Sequence, residues 1–479
     1  MNYELTASTL NYVRQHADDD VRLLALRGSK DPDVDLTRAL QQIQGRQTAR
    51  QKLPSWAAND AILYPPHLNM EQCSSEATAR YKAAICKRLI NNHPTSPSNH
   101  SPNDPSNDSP SSPSNHSPND PSNYPLSSFL SPLSSLTDLT GGFGVDFAFM
   151  STAFDRATYV ELNPGLFAIA TANFAALGLT NVTAHNADAV SILEAMPSRE
   201  TADGSSCAPK ASRPQPISLI FLDPARRDTH GARTYAISDC TPDVLALLPT
   251  LLAKGDYVLL KLSPMLDWRK ALSDLGPQHV SEIHILAVNN ECKELLFLLQ
   301  QQADALTVFC VNDAQTFAFA PTLAPPSPSS PPSSEPSSVR RDSVAPTSPL
   351  SPTSPVPSPS SFLYEPNAAL MKAGCFAELA ARYALAPLAP NSHLFLSPTL
   401  LPTFPGRRFR LDAVTTMNKR DLRQHLAAVS RANITTRNFP LSVADLRKRL
   451  KLSEGGSTYI FATTLANGQH VLLVCSPCP

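Results

Sequence analysis

The chain has 479 residues, more than one ordinary core accommodates, so two or three domains are expected. With 40 Lys and Arg against 41 Asp and Glu the formal net charge is −1, so no general affinity for polyanions can be read from it; any basic surface must be local. The nine cysteines are scattered rather than set at framework spacings, as expected of a reduced, cytoplasmic protein, and Cys475 and Cys478 form a CxxC with no second pair, so no metal site is expected. The N-terminus has neither the basic nor the apolar region of a secretory signal, and no apolar run approaches the ~18 residues of a membrane span.

Residues 1–91 carry helical periodicity: "DLTRALQQIQGRQTARQKL" is one amphipathic run, ended by Pro54, and "MEQCSSEATARYKAAICKRLI" is a second. Residues 92–135 are a Ser/Pro/Asn insert in which "SPSNHSPNDPSN" occurs twice, and residues 320–361 are a Pro/Ser linker. Both lack the apolar residues needed to offset the entropy of ordering, and both are expected to be disordered. Between them, residues 136–319 alternate short apolar runs with helices, interrupted only by a polar segment at 198–215. Strand-like "RATYVEL", "VTAHNAD", "ISLIFLDP", "DYVLLKLSP" and "EIHILAV", with "FAIATANFAALGL" and "DVLALLPTLLAKG" as helices, predict a parallel sheet covered on both faces. Residues 362–479 change character: "NAALMKAGCFAELAARYAL" reads as one helix, followed by a small α+β pattern that closes in a hairpin with Asn467-Gly468 as its turn.

The chemistry concentrates at strand ends. A strand ending near Asp138, a turn holding Gly141, Gly142 and Gly144, and then a helix form an arrangement that lets backbone approach a ligand closely. Taken alone, such a turn could equally be a plain tight turn. The next strand ends at Glu161, where an acid can accept hydrogen bonds from both ribose hydroxyls. A third ends in "NAD", placing Asp188 where an adenine amine would lie. A fourth ends in "LDPARRD", placing Asp223 and Pro224 at the carboxyl edge, where open α/β sheets hold ligands. Glu161 and Asp188 also have a bland reading as helix caps or first-turn acids. Lys261 and Ser263 end a further strand at this edge and could be caps. Cys292 is the one thiol considered for a covalent route, with a buried structural cysteine the plainer reading.

Asp138, Thr140, Gly142 and Gly144 fall on a D-x-T-x-G-x-G pattern that resembles motif I of class I S-adenosylmethionine methyltransferases, with Thr at the first Gly position. With "LNMEQCSSEATARYKA", "LDPARRD", "LKLSPMLD", "VNNECKELLF", "FLYEPNAALMKAG" and "RANITTRNFPLS", the chain resembles bacterial class I methyltransferases carrying a ferredoxin-like segment and a C-terminal THUMP-like domain. The resemblance implies an α/β protein: a Rossmann-like class I methyltransferase core, an N-terminal helical region, a small C-terminal α+β domain and disordered Pro/Ser-rich inserts. It places the ferredoxin-like segment at 362–405 and the THUMP-like RNA-binding domain at 406–479. It implies S-adenosyl-L-methionine as cofactor, with Asp138 and Gly142 beside the methionine part, Thr140 and Gly144 shaping the turn, Glu161 at the ribose and Asp188 at the adenine.

Asp223, Pro224 and Arg226 are then the catalytic candidates. Asp223 aligns the acceptor, and Arg226 or Arg227 holds a phosphate or a base edge or, equally, serves a structural ion pair. The sequence reads Asp-Pro-Ala-Arg, without the aromatic ring that adenine-amino methyltransferases place after this motif.

Residues 407–451 hold twelve Lys and Arg against three acids, a local charge of about +9. Charge alone leaves a solvated face and RNA binding equally open; the resemblance favours RNA, with Arg431, Arg437, Phe439, Arg447 and Lys448 as contacts. The expected function is methylation of structured RNA, tRNA or rRNA, in the cytoplasm and without membrane association. A methyltransferase of a small molecule or protein, or a noncatalytic RNA-binding protein with a vestigial pocket, are the alternatives. The acceptor atom and the oligomeric state stay open.

Overall fold

A computed structural model of the chain describes residues 5–92, 134–198, 218–226, 237–322, 357–389 and 391–478. The expected disordered stretches, 92–135 and 320–361, and the polar segment 198–215 lie outside these residues apart from their ends. The chain forms two compact units, Met1–Ser281 with Leu296–Asp304, and Glu282–Leu295 with Ala305–Pro479. Among the described residues no helix is long and apolar enough to cross a membrane.

The first unit opens with helices α1 (Ala7–Gln15), α2 (Val21–Arg27), α3 (Leu36–Lys52), α4 (Pro54–Ala57), α5 (His67–Gln72) and α6 (Glu76–Asn92). Each of the first three starts where a side-chain oxygen of Thr6, Asp20 or Asp35 accepts a first-turn N–H, and α3 ends before Pro54, which opens α4 at its tolerated first position. Val13, Leu24, Ala39 and Ile43 form a small shared core.

The chain then alternates β1 (Ser135–Asp138), α7 (Val145–Ser151), β2 (Arg156–Val160), α8 (Pro164–Ala176), β3 (Val182–His185), α9 (Ala189–Ala195), β4 (Ser218–Leu222), a short pair β5 (Ala225–Arg226) and β6 (Cys240–Thr241), α10 (Val244–Lys254), β7 (Tyr257–Leu262), α11 (Trp268–Leu275), and the hairpin β8 (Val280–Val288) with β9 (Glu291–Leu299). The strands run in the order β9-β7-β4-β1-β2-β3, and β3, β2, β1, β4 and β7 are mutually parallel. Central "SLIFL" and "YVLLKL" are buried almost throughout, as strands covered on both faces must be, whereas edge strand β3 exposes alternate residues. Because β2 and β3 lie to one side of β1 and β4 to the other, the order reverses between β1 and β4. Beyond the carboxyl ends of that pair lies the crevice in which such sheets bind ligands.

In the second unit, β10 (Thr307–Asn312) pairs parallel with β8 and antiparallel with β11 (Gln315–Phe319). β8 turns into β9 through Asn289 and Asn290, both at positive φ as a two-residue hairpin of matching twist requires. The remainder is β12 (Phe362–Pro366), α12 (Ala368–Ala373), α13 (Phe376–Tyr383), β13 (Ala386–Pro387), β14 (Phe395–Ser397), β15 (Gly406–Thr415), α14 (Lys419–Leu426), β16 (Asn433–Arg437), α15 (Val443–Leu450), β17 (Tyr459–Thr464) and β18 (His470–Pro477). Their sheet runs β13-β14-β12-β15-β18-β17-β16.

One local expectation is corrected. "NAALMKAGCFAELAARYAL" is two helices, because Gly374 takes the left-handed conformation that ends α12. The last hairpin turns at Asn467-Gly468 as expected, in a three-residue loop, Ala466 to Gly468, whose Gly468 N–H donates to the Leu465 carbonyl.

Glu365 on β12 ties this sheet together. Its side chain is 5% exposed and accepts hydrogen bonds from Arg407 Nε at 2.6 Å and Arg437 Nη2 at 2.8 Å. Replacing it with Ala strands two guanidinium groups, one of them half-buried, and is expected to cost about 2–3 kcal/mol in denaturant unfolding of the intact chain. Unchanged stability would show that water satisfies both arginines.

Candidate active site

The glycine turn connects β1 to α7. Gly142 and Gly144 have positive φ, 55° and 84°, and a Cβ on Gly142 would meet nothing nearer than the Thr140 carbonyl at 3.8 Å, so the turn presents bare backbone to open space. Gly141 and Gly144 serve packing: a Cβ would lie 2.0 Å from the Tyr159 ring at the first and 2.7 Å from the Phe174 ring at the second. Trp56 of α4 meets Phe143 of the turn edge-on at 5.2 Å. The N-terminal helices thus form part of this wall.

Four acids end or follow the strands β1 to β4. Asp138 is 1% exposed and accepts the Thr140 N–H at 2.9 Å. Burial pushes its carboxyl well above the ordinary range; that hydrogen bond opposes the rise, and the nearby Asp146, Asp223 and Glu161 add to it. Glu161, just past β2, accepts the Gly142 N–H at 2.7 Å and the Asn163 N–H at 2.6 Å. Asp188 caps α9, accepting from Val190 and Ser191 N–H, which is its bland role. Asp223, just past β4, donates its backbone N–H to the Thr140 hydroxyl oxygen at 2.6 Å. Thr140 therefore clips the glycine turn to the β4 exit, a physical use for Thr where the resembling motif has Gly.

Sequence reasoning missed what lies beneath Asp223. Lys261 of β7 places Nζ 2.6 Å from Asp223 Oδ2 and 3.4 Å from Asp146 Oδ2. Lys82 of α6, fully buried, lies 3.2 Å from Asp146 Oδ1, and Ser74 Oγ donates to Asp146 Oδ2 at 2.7 Å. Burial alone would raise the Asp146 carboxyl, but the two ammonium groups outweigh it and hold the carboxyl below its ordinary value. The only sequence signal was Lys261 at a strand end; a lysine on an amphipathic helix such as α6 gives no sign of being buried.

Pro224 is buried beside Asp223, and Arg226 continues into β5, while residues 227–236 lie outside the described part. Cys292 belongs to the second unit, where its Sγ lies 3.3 Å from the Ala368 carbonyl and burial raises its thiol.

In the C-terminal segment Arg431 and Lys448 are exposed, whereas Arg437 is held by Glu365, Arg447 donates to the Ala432 carbonyl at 3.1 Å, and Phe439 packs against a buried cluster. Arg431 Nε also donates to the Glu454 carbonyl at 3.0 Å, so the structure engages four of the five expected RNA contacts in the fold itself.

The parallel sheet with its reversal at β1/β4, the glycine turn and the acids at successive strand ends define a class I methyltransferase fold. Over 98% of both chains it matches the crystal structure of a "putative methyltransferase" from Porphyromonas gingivalis W83, with 26% identity and a TM-score of 0.69. Residues 362–405 match the model of a ferredoxin-like domain, and residues 406–477 that of a THUMP domain-like family. The chain thus has a class I methyltransferase-like fold, followed by a segment matching a ferredoxin-like domain and one matching a THUMP-like domain. An O-methyltransferase from Bacillus cereus in complex with SAH also matches, with 9% identity over 60% of this chain and 100% of that one, but its TM-score of 0.29 is too low to carry weight. A search of curated protein sequences found no match.

Proposed function

We propose that this chain is an S-adenosylmethionine-dependent methyltransferase of structured RNA, tRNA or rRNA. The observation that carries the reading is the convergence of Asp138, Glu161 and Asp223 on an open, Cβ-free turn at the sheet's reversal point, in a chain with a THUMP-like domain. The cradle at Gly142 and the buried carboxyl of Asp138 fit the backbone-lined, cationic amino acid end of such a cofactor, which supplies an already activated methyl.

The protein's part is then binding and alignment. Asp138 takes the methionine ammonium, Glu161 the ribose hydroxyls and Asp188 the adenine amine. Asp223, 40% exposed at its side chain, accepts a hydrogen bond from the acceptor group and sets its lone pair in line with the methyl, with Pro224 fixing the backbone there. Arg226 meets a phosphate or base edge.

Calorimetric titration with S-adenosylhomocysteine tests this: wild type binds, and Glu161→Ala weakens binding by more than about tenfold, ~1.4 kcal/mol. Absence of binding by folded wild type would favour a vestigial pocket. For RNA, exposed Lys448 is a phosphate contact, and Lys448→Ala is expected to lower the slope of log affinity against log salt by about 1. Arg437→Ala, expected from sequence to act likewise, is now expected to act on stability, because Glu365 already holds it. An unchanged slope in Lys448→Ala would remove this helix from the RNA surface.

A further inference from the structure

Two carboxylates and two ammonium groups meet beneath the methyl-transfer edge, contributed by four elements: Lys82 from α6, Asp146 from α7, Asp223 after β4 and Lys261 from β7. Lys261 is the shared member, 2.6 Å from Asp223 and 3.4 Å from Asp146. Asp146 has a second cation in Lys82 at 3.2 Å and a hydroxyl donor in Ser74. Asp223 is the acid open to solvent, with 40% of its side chain exposed against 10% for Asp146.

Charge counting gives these distances a meaning. A fully buried lysine is expensive and is kept only where an anion lies against it. Without Lys82, the buried Asp146 would have Lys261 as its remaining cation among the described residues, and because burial makes an unpaired charge costlier there than at half-exposed Asp223, Lys261 would shift from Asp223 toward Asp146.

We infer that Lys82, on the N-terminal helical region, is a positioning residue for methyl transfer: by neutralising Asp146 it leaves Lys261 to fix Asp223 Oδ2, freeing the other carboxylate oxygen for the acceptor. This rests on the function proposed above. It makes α6 a working part of the active site rather than a scaffold beside it.

The test compares Lys82→Met and the double variant Lys82→Met/Asp146→Asn with the wild type. The assay is single-turnover methyl transfer from labelled S-adenosylmethionine to total RNA, with S-adenosylhomocysteine titrations and a crystal structure of each variant alongside. Lys82→Met is expected to slow transfer by about tenfold or more while leaving the RNA KM and the S-adenosylhomocysteine affinity within about twofold, and its crystal structure should show Lys261 nearer to Asp146 than to Asp223, the reverse of the wild type. Neutralising Asp146 in the double variant should return Lys261 to Asp223 and restore most of the rate, which loss of packing would not do. Lys261 remaining on Asp223 in folded Lys82→Met overturns the inference, as does a rate loss that Asp146→Asn does not relieve. Should Lys82→Met not fold, the charge-balanced double variant carries the test, and Lys261 away from Asp223 there overturns it. Failure of wild type to bind S-adenosylhomocysteine or methylate RNA would instead remove the functional reading, while the position of Lys261 still decides the charge relation.

Discussion

Asp138→Asn is expected to make the protein more stable at neutral pH and to weaken its hold on S-adenosylhomocysteine by about tenfold or more, ~1.4 kcal/mol. The carboxyl is raised by burial, so the folded state binds its proton more tightly than the unfolded chain, where the ordinary value is 3.8. Its stability contribution is therefore fully present below pH 3.8 and is lost as the pH rises through the higher folded value. At neutral pH the protein carries that cost, and Asn, which still accepts the Thr140 N–H but cannot ionise, relieves it. Melting curves should separate by a few degrees at pH 7 and converge near pH 3.8.

The same carboxyl meets the ligand's ammonium, which favours the charged form. Wild-type affinity should rise with pH as Asp138 ionises and binding should release a proton, seen as a buffer-dependent heat; the Asn variant should show neither. Equal affinity in both would move the ammonium away from Asp138.

Neighbouring glycines should respond in opposite ways. A Cβ on Gly141 would lie 2.0 Å from Tyr159 Cε2, and that ring cannot yield: it is fully buried, packs against Phe147 and Phe174, and donates its hydroxyl to the Gly142 carbonyl at 2.5 Å. Gly141→Ala is expected to cost roughly 3 kcal/mol or more and to populate unfolded chain at modest denaturant. Gly142→Ala meets only its positive φ, a penalty of about 1–2 kcal/mol, so it should fold, with its methyl projecting into the cradle and S-adenosylhomocysteine binding reduced. Intact binding in folded Gly142→Ala would place the ligand elsewhere.

Patterns that depend on near neighbours were legible in the amino-acid order. Period-two and period-3.6 burial, the break at Pro54, the Gly-rich turn and the acids closing successive strands each act over a few residues, and they sufficed for the parallel core and for the positions of Asp138, Glu161 and Asp223. Where a few residues decide between near-equal conformations, the reading failed: nothing in "MKAGCF" required Gly374 to turn left-handed and end a helix.

What only the tertiary structure decided is partnership at a distance. Thr140 reaches Asp223 across 83 positions, Lys261 reaches Asp146 across 115, and Arg437 is withdrawn from the basic face by Glu365, 72 positions away. A side chain's charge is written in the sequence, but its energetic meaning depends on burial and on which opposite charge lies within about 4 Å, and both are set by the packing of elements far apart in the chain.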